Sequence, residues 1–473
     1  MQSGVAGRSP VPDDAGAPRL PEVVAIPTPG LGNNTYLLGY GDRAVAIDVP
    51  RDGWRITAVA AEHGWRISHA LETHVHNDYL SGARDLATGG AVRIVAPAEG
   101  GYAFPHQPAA DGFEIDLGAG GLVARATPGH TPEHLSWELQ DGDGRPQALF
   151  SGGSLLIGGV GRTDLLGRAR IAEMTAAQFG TMRRLAELPD EVVVHPTHGA
   201  GSFCVAGDID IGGQATIGAL KRWNPSFAAT DLASFEAELS AGRTRYPAYY
   251  RRMAPLNRRG PRRLSGAPSP QALTSEQFSE ARSAGAWVLD ARDRWAFAEA
   301  HVQGSWNIEA GDAFAAYAGW LLPFDAPMVL VVDSPEQEVD VREELLRIGF
   351  DHVVGHLAGG VDAWVAVGGE TSRYETATWE ELRSPGQERI LDVRQPYEWA
   401  EGAVPGSELV FVADLPTRLD QLDRDAHYLI ACRTGVRAAI AASVLDAAGF
   451  MVRPVVDGGV PALPPEELEP VVG

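Results

Sequence analysis

Cysteine is nearly absent from this sequence: 473 residues hold only Cys204 and Cys432. The two fall in segments of different character, so a disulfide framework is excluded and a reducing, cytoplasmic compartment is expected. Long apolar runs are missing as well. No stretch reaches the roughly eighteen apolar residues that a membrane span requires. The Gly-, Pro- and Ala-rich start, residues 1–21, lacks the apolar segment of a signal peptide and reads as a disordered lead. Basic charge is scarce, with 39 Lys and Arg against 62 Asp and Glu and a formal net charge of −23. That excludes nucleic acid as a partner, because neutralising phosphates takes an excess of Lys and Arg.

What is present is an ordinary globular composition, 44% hydrophobic and 21% charged, in a chain too long for one core. Residues 22–256 alternate short β-branched or apolar runs, such as Ala44-Val45-Ala46-Ile47-Asp48, with helical stretches such as Ala172 to Leu188. The mixture predicts a layered α/β or α+β domain. A basic, Pro- and Gly-containing stretch, 257–270, reads as a linker. Beyond it the chain repeats itself. Leu289-Asp290-Ala291-Arg292 recurs as Leu391-Asp392-Val393-Arg394, Gly304-Ser305 as Gly406-Ser407, and Gly359-Gly360-Val361 as Gly458-Gly459-Val460. Each copy, 271–372 and 373–473, is expected to be a small parallel-sheet α/β domain.

The strongest chemical signal is Cys432-Arg433-Thr434-Gly435-Val436-Arg437, between the strand-like His427 to Ala431 and an alanine-rich helix former. A cysteine at a strand end and helix start meets unpaired backbone N–H groups and the positive end of the helix dipole, both of which favour the thiolate. Gly435 lets the loop bend, and Arg437 closes it with a fixed cation. The alternative is a buried structural cysteine. A phosphatase loop also ends in arginine, but generally holds one more residue. The loop, Asp392-Val393-Arg394 and Gly406-Ser407 together resemble the rhodanese family of sulfurtransferases. The resemblance implies that Cys432 carries a persulfide cradled by loop amides, with Arg433 as a substrate contact. The first copy has no cysteine; Asp333 is expected where the second has Cys432, which leaves that copy a structural or docking role.

Histidines recur at three strand ends: Thr73-His74-Val75-His76-Asn77-Asp78-Tyr79, Gly129-His130-Thr131, and Pro196-Thr197-His198-Gly199. Convergent histidines at successive strand ends read as metal ligands. The pattern resembles the metallo-β-lactamase superfamily, with the persulfide dioxygenases and glyoxalase II thioesterases most similar. The implied fold is an αββα sandwich, and the implied ligands are His74 and His130 with His76, Asp78 and His198 nearby. Two positions depart from the family: Tyr79 follows the motif aspartate where a histidine is usual, and Gly153 stands where an aspartate binds metal. The remaining His74, His76 and His130 suit one Fe(II) or Zn(II). A site without tight metal, kept as a pocket or scaffold, is the alternative. Arg162 is a candidate anchor for a thiol's carboxylate, or else an internal partner of Asp164. Cys204 is read as a buried small apolar residue, and the run Tyr246 to Arg259 as either a contact for an anionic thiol or an interdomain strap.

The sequence thus predicts an α/β multidomain protein: a metallo-β-lactamase-like sandwich followed by two rhodanese-like domains. The expected substrates are a small persulfide or thiosulfate and a thiol acceptor such as glutathione, with persulfide oxidation at the first domain and sulfur transfer at Cys432. Alternatives are a sulfurtransferase with a scaffold first domain, a metal-dependent thioester hydrolase, or a persulfide carrier without turnover. The resemblance also implies a homo-oligomer.

Overall fold

The computed structural model describes residues 20–199, 202–204, 215–241 and 244–471. Most of the expected N-terminal lead, residues 1–19, lies outside them. The N-terminal half is built on two six-stranded sheets. In spatial order the first runs Glu22–Thr28, Asn33–Tyr40, Arg43–Ile47, Arg66–Leu71, Arg93–Pro97 and Gln107–Ala109. The second runs Ala215–Thr216, Val193–Pro196, Pro146–Gly152, Leu135–Asp141, Gly120–Ala126 and Glu114–Asp116. Successive strand side chains point to opposite faces, and here both faces are buried. Tyr36, Leu38, Val45 and Ile47 face Trp137, Leu139 and Phe150 between the sheets. Leu37, Ala44 and Ala46 instead pack outward on Ile56 and Ala60 of the helix Gly53–Glu62. On the far side Leu149 and Val194 meet Met182 and Leu185 of the helix Ile171–Leu185. The layering is helix, sheet, sheet, helix.

The two repeat copies form separate parallel sheets. The first has the order Ala272–Leu273, Val353–Leu357, Met328–Val331, Trp287–Asp290, Trp306–Asn307, and the second Glu408–Leu409, Arg389–Asp392, His427–Ala431, Met451–Pro454. The recurring Asp-x-Arg is a repeated device. Arg292 folds back on Asp290 and donates to the Ala300 carbonyl, 2.9 Å; Arg394 does the same with Asp392 and the Gly402 carbonyl, 2.6 Å. Each buried ion pair staples a strand end to the loop ahead of it. Strand pairing matches Asp290 to Val331 in one copy and Asp392 to Ala431 in the other. The position equivalent to Cys432 is therefore Val332, one residue before the expected Asp333.

The expected linker begins later than the sequence suggested. The helix Tyr250–Arg259 runs through Asn257 and stops at Gly260, whose φ of +89° suits glycine. Asn257 is buried, donating to the His76 and Tyr79 carbonyls (2.9 and 2.8 Å) and accepting from the Ser81 amide. Arg252 reaches Asp325 and stacks over Phe324 of the first repeat copy. Of the two readings of this run, the strap is the one its contacts describe. Among the described residues no helix is long and apolar enough to cross a membrane.

Candidate metal centre and cysteine loop

At the edge of the two sheets the strand ends bring four histidines together. The rings of His74, His130 and His198 lie with centroids 5.0–5.4 Å apart, and His76 is 4.3 Å from His74. Asp48 ties the strands that carry them. Its carboxylate accepts from the Thr73 amide and hydroxyl, each at 2.7 Å, and from the Thr197 hydroxyl. It does so at φ +56°, unusual for a residue other than glycine and characteristic of strain at a functional position.

The hydrogen bonds fix which nitrogens are bare. The Thr73 hydroxyl gives its proton to Asp48, so it accepts from His74 Nδ1 (2.8 Å), which leaves His74 Nε2 without a hydrogen. His130 Nδ1 faces the Arg162 carbonyl at 2.9 Å and must donate; its Nε2 is buried without a partner. His198 Nδ1 faces Asn33 Oδ1 and Asp78, turning its Nε2 to within 3.4 Å of His74 Nε2. Burial, with the neighbouring histidines, holds His74 well below its ordinary pKa and His130 at about 3, so both are neutral ligand-type imidazoles. His76 differs. Burial opposes its charge, but Asp48 and Glu72 outweigh it and raise the pKa to about 10. Its Nε2 lies 3.0 Å from Glu72, and its Nδ1 has no partner.

These residues fit a divalent cation. Two bare nitrogens 3.4 Å apart stand at about the separation of two ligands of a tetrahedral ion bonded at about 2.0–2.1 Å. Among the described residues His130 Nε2 and Asp78 Oδ1 are buried polar atoms with no partner, a costly state that a cation relieves; His76 Nδ1, likewise unpartnered, joins them as a ligand only on losing its proton. Asp78 is held below the usual carboxylate range, against its burial, by His198. Tyr79, where the resemblance expects a histidine, stacks its ring on His76 at 4.3 Å and offers a phenol in place of an imidazole. At Gly153 a side chain would run into the His130 ring, and the Gly153 amide donates to His134 Nε2 at 3.0 Å.

Several members of the site had no local signal. His134 stacks on His74, Glu72 holds His76, and Asn33 holds Asp78 and His198. Glu72 and His134 lie within four residues of motif histidines, which is the clue that was available. Cys204 is buried, as expected, and burial pushes its thiol well up. It lies beside His130 and His198. The Arg162 guanidinium is held by Asp164 at 2.7 and 2.8 Å, the Phe203 and Thr244 carbonyls, and the Tyr246 ring; of its two readings, carboxylate anchor or internal partner of Asp164, these contacts describe the second.

In the last domain Cys432 sits between the strand His427–Ala431 and the helix Val436–Ala447, and its Sγ accepts the Gly435 amide at 3.1 Å. Gly435 has φ +91°, and a side chain there would strike the Val456 carbonyl. Arg433 and Thr434 are exposed at the loop tip. Arg437 is buried and held bidentate by Glu398. The cysteine-free domain also reaches this loop. Arg294 is gripped by Glu309 and donates to the Thr434 carbonyl at 2.9 Å and the Val456 carbonyl at 3.3 Å.

Comparison with known proteins agrees with this architecture. The model of the metallo-β-lactamase superfamily matches residues 28–198, and that of the rhodanese-like domain matches 274–367 and 376–463. The chain is 34% identical over 178 residues to a hydroxyacylglutathione hydrolase of Rhodobacter capsulatus, covering 36% of this chain and 64% of that protein. It is 32% identical over 182 residues to the mitochondrial persulfide dioxygenase ETHE1 of Homo sapiens, covering 36% of this chain and 66% of that one. It thus spans slightly less than two thirds of each curated relative. A crystal structure of a metallo-β-lactamase from Staphylococcus aureus superimposes with a TM-score of 0.65 at 28% identity, covering 72% of this chain and 99% of that one.

Proposed function

Because this chain belongs to the metallo-β-lactamase superfamily over residues 28–198 and carries two rhodanese-like domains after it, we propose that it handles sulfane sulfur at two centres. The histidine centre acts on the persulfide of a small thiol such as glutathione, and Cys432 transfers sulfur. The observation that carries the reading is the Cys432 loop, with Sγ at a helix start, an amide donated to it and a buried cation fixed nearby. The thiolate attacks the outer sulfur of a persulfide, forming a new S–S bond, and the donor thiol leaves with the proton. An acceptor thiolate then takes that sulfur and returns Cys432 to the thiolate. The Gly435 amide and the helix start stabilise the anion at each stage.

At the first centre His74, His76, His130 and His198 would hold one Fe(II) or Zn(II). When bound, the metal supplies Lewis acidity and, as iron, O₂ chemistry. Asp48 and Glu72 orient the imidazoles, and Tyr79 in place of the expected histidine favours persulfide oxidation over a two-metal thioester hydrolase.

The test is oxygen uptake with glutathione persulfide, after anaerobic Fe(II) loading of the full chain. Uptake lost in His130→Ala and retained in Cys432→Ser, with sulfur transfer lost only in Cys432→Ser, is the expected result. Intact transfer with no uptake would reduce the first domain to a scaffold.

A further inference from the structure

Gly153 leaves the centre without the superfamily's aspartate, and the His130 ring already occupies the space a side chain there would need. An anionic ligand in that aspartate's place would be supplied by another residue. The Cys204 Sγ and one ring nitrogen each of His130 and His198 all lie within 4.8 Å of one another. His130 Nε2 is buried and has no partner among the described residues. The short segment that carries the thiol is fastened from both sides. The Arg162 amide donates to the Cys204 carbonyl at 3.0 Å, and the Arg162 guanidinium to the Phe203 carbonyl at 3.1 Å. The same Arg162 carbonyl receives His130 Nδ1, so one residue sets the positions of both donors. Among the described residues the thiol makes a long contact, 3.9 Å, to the Tyr250 hydroxyl.

We propose that Cys204 is the anionic ligand of the metal centre, making it a histidine–thiolate site in place of the family's histidine–carboxylate site. The inference rests on the metal reading above. On coordination a sulfur–metal bond forms, the thiol proton passes to solvent, and a water leaves the ion; nothing is oxidised or reduced. The thiolate supplies the one negative charge that Gly153 cannot, and biases the site toward softer cations such as Zn(II), Co(II) and Fe(II) over Mg(II) or Mn(II).

The experiment uses the full chain carrying Cys432→Ser, so that Cys204 is the remaining thiol. X-ray absorption of the zinc-loaded protein is expected to show one sulfur scatterer at about 2.3 Å beside nitrogen ligands. The cobalt-loaded protein should show a sulfur-to-cobalt charge-transfer band in the near ultraviolet. Adding Cys204→Ser should abolish that band while the histidines keep cobalt, with affinity reduced at least about tenfold. One zinc per chain with nitrogen and oxygen scatterers alone would overturn the role of Cys204 and leave the histidine centre standing. No stoichiometric metal would overturn the centre and this ligand together. The absorption measurement changes nothing at position 204, so a poorly folding variant does not decide the matter.

Discussion

Arg437 is the cation that closes the cysteine loop, and what keeps it there is a single residue 39 positions earlier. Glu398 is buried and takes both terminal nitrogens of the guanidinium; burial alone would raise its pKa, but Arg437 outweighs that and holds the carboxyl below the usual range. A buried pair broken from one side leaves an uncompensated charge, at a cost of about 3–5 kcal/mol. Glu398→Gln, which keeps the shape and removes the charge, is therefore expected to lose about 3 kcal/mol of stability at neutral pH, read by urea unfolding. The pH dependence has a definite sign. A carboxyl with a depressed folded pKa stabilises above the ordinary glutamate range and loses that contribution as pH falls through the folded value. The wild type should thus weaken in acid more steeply than Glu398→Gln; parallel acid curves would show that the pair carries no such energy.

The elements show what local pattern can and cannot reveal. Arg294 opens the short helix Arg294–Glu299 of the domain that lacks a cysteine, yet it holds the Thr434 carbonyl of the Cys432 loop and the neighbouring Val456 carbonyl. Loss of hydrogen bonds from a charged donor costs about 1.5–3 kcal/mol, so Arg294→Ala is expected to slow sulfur transfer roughly tenfold or more. Its effect should fall on kcat rather than KM, and Arg294→Lys should restore part of it. An unchanged kcat would separate the two domains functionally. The strand–loop–helix around Cys432, the recurrence of Asp-x-Arg and the histidines at strand ends were legible because each is a short-range pattern: a strand period, a turn glycine, a repeated tetrapeptide; that Asp-x-Arg is an ion pair came from the structure. Arg294 on the cysteine loop, Asn257 under the His76 loop and Cys204 beside His130 were not. Each acts across tens to hundreds of residues, and nothing in the flanking pattern of a basic run or a lone cysteine distinguishes a strap or a ligand from surface or core.

At the scale of the whole molecule the first repeat copy is the keystone. It meets the sandwich through Arg51 on Asp351 and Arg347 on Asp52, the latter at 2.8 Å, and the last domain through Asn307 on Ser443 and His301 on Asp446. The internal repeat and the segment before it predicted three domains but carry no information on such seams, since they depend on which surfaces the folded domains present. The seam with the sandwich also buries Glu344 against Gly30, where a side chain on the glycine would strike the carboxyl. Burial raises Glu344 from an ordinary 4.5 to about 7, only partly offset by Arg347, and among the described residues its Oε2 has no hydrogen-bond partner. A raised folded pKa stabilises the protonated form: the contribution is complete below the unfolded value and is lost as pH rises through the folded one. The difference amounts to about 3 kcal/mol at most. Between about pH 4.5 and 7, unfolding monitored at the sandwich–repeat seam should therefore become easier as Glu344 is forced to ionise in place. Glu344→Gln, neutral at every pH, should remove that slope and raise the thermal midpoint at pH 8 while leaving it nearly unchanged at pH 4.5. An equal slope in wild type and variant would mean that the seam opens to water before the carboxyl titrates, and that the domains separate more readily than their buried ion pairs imply.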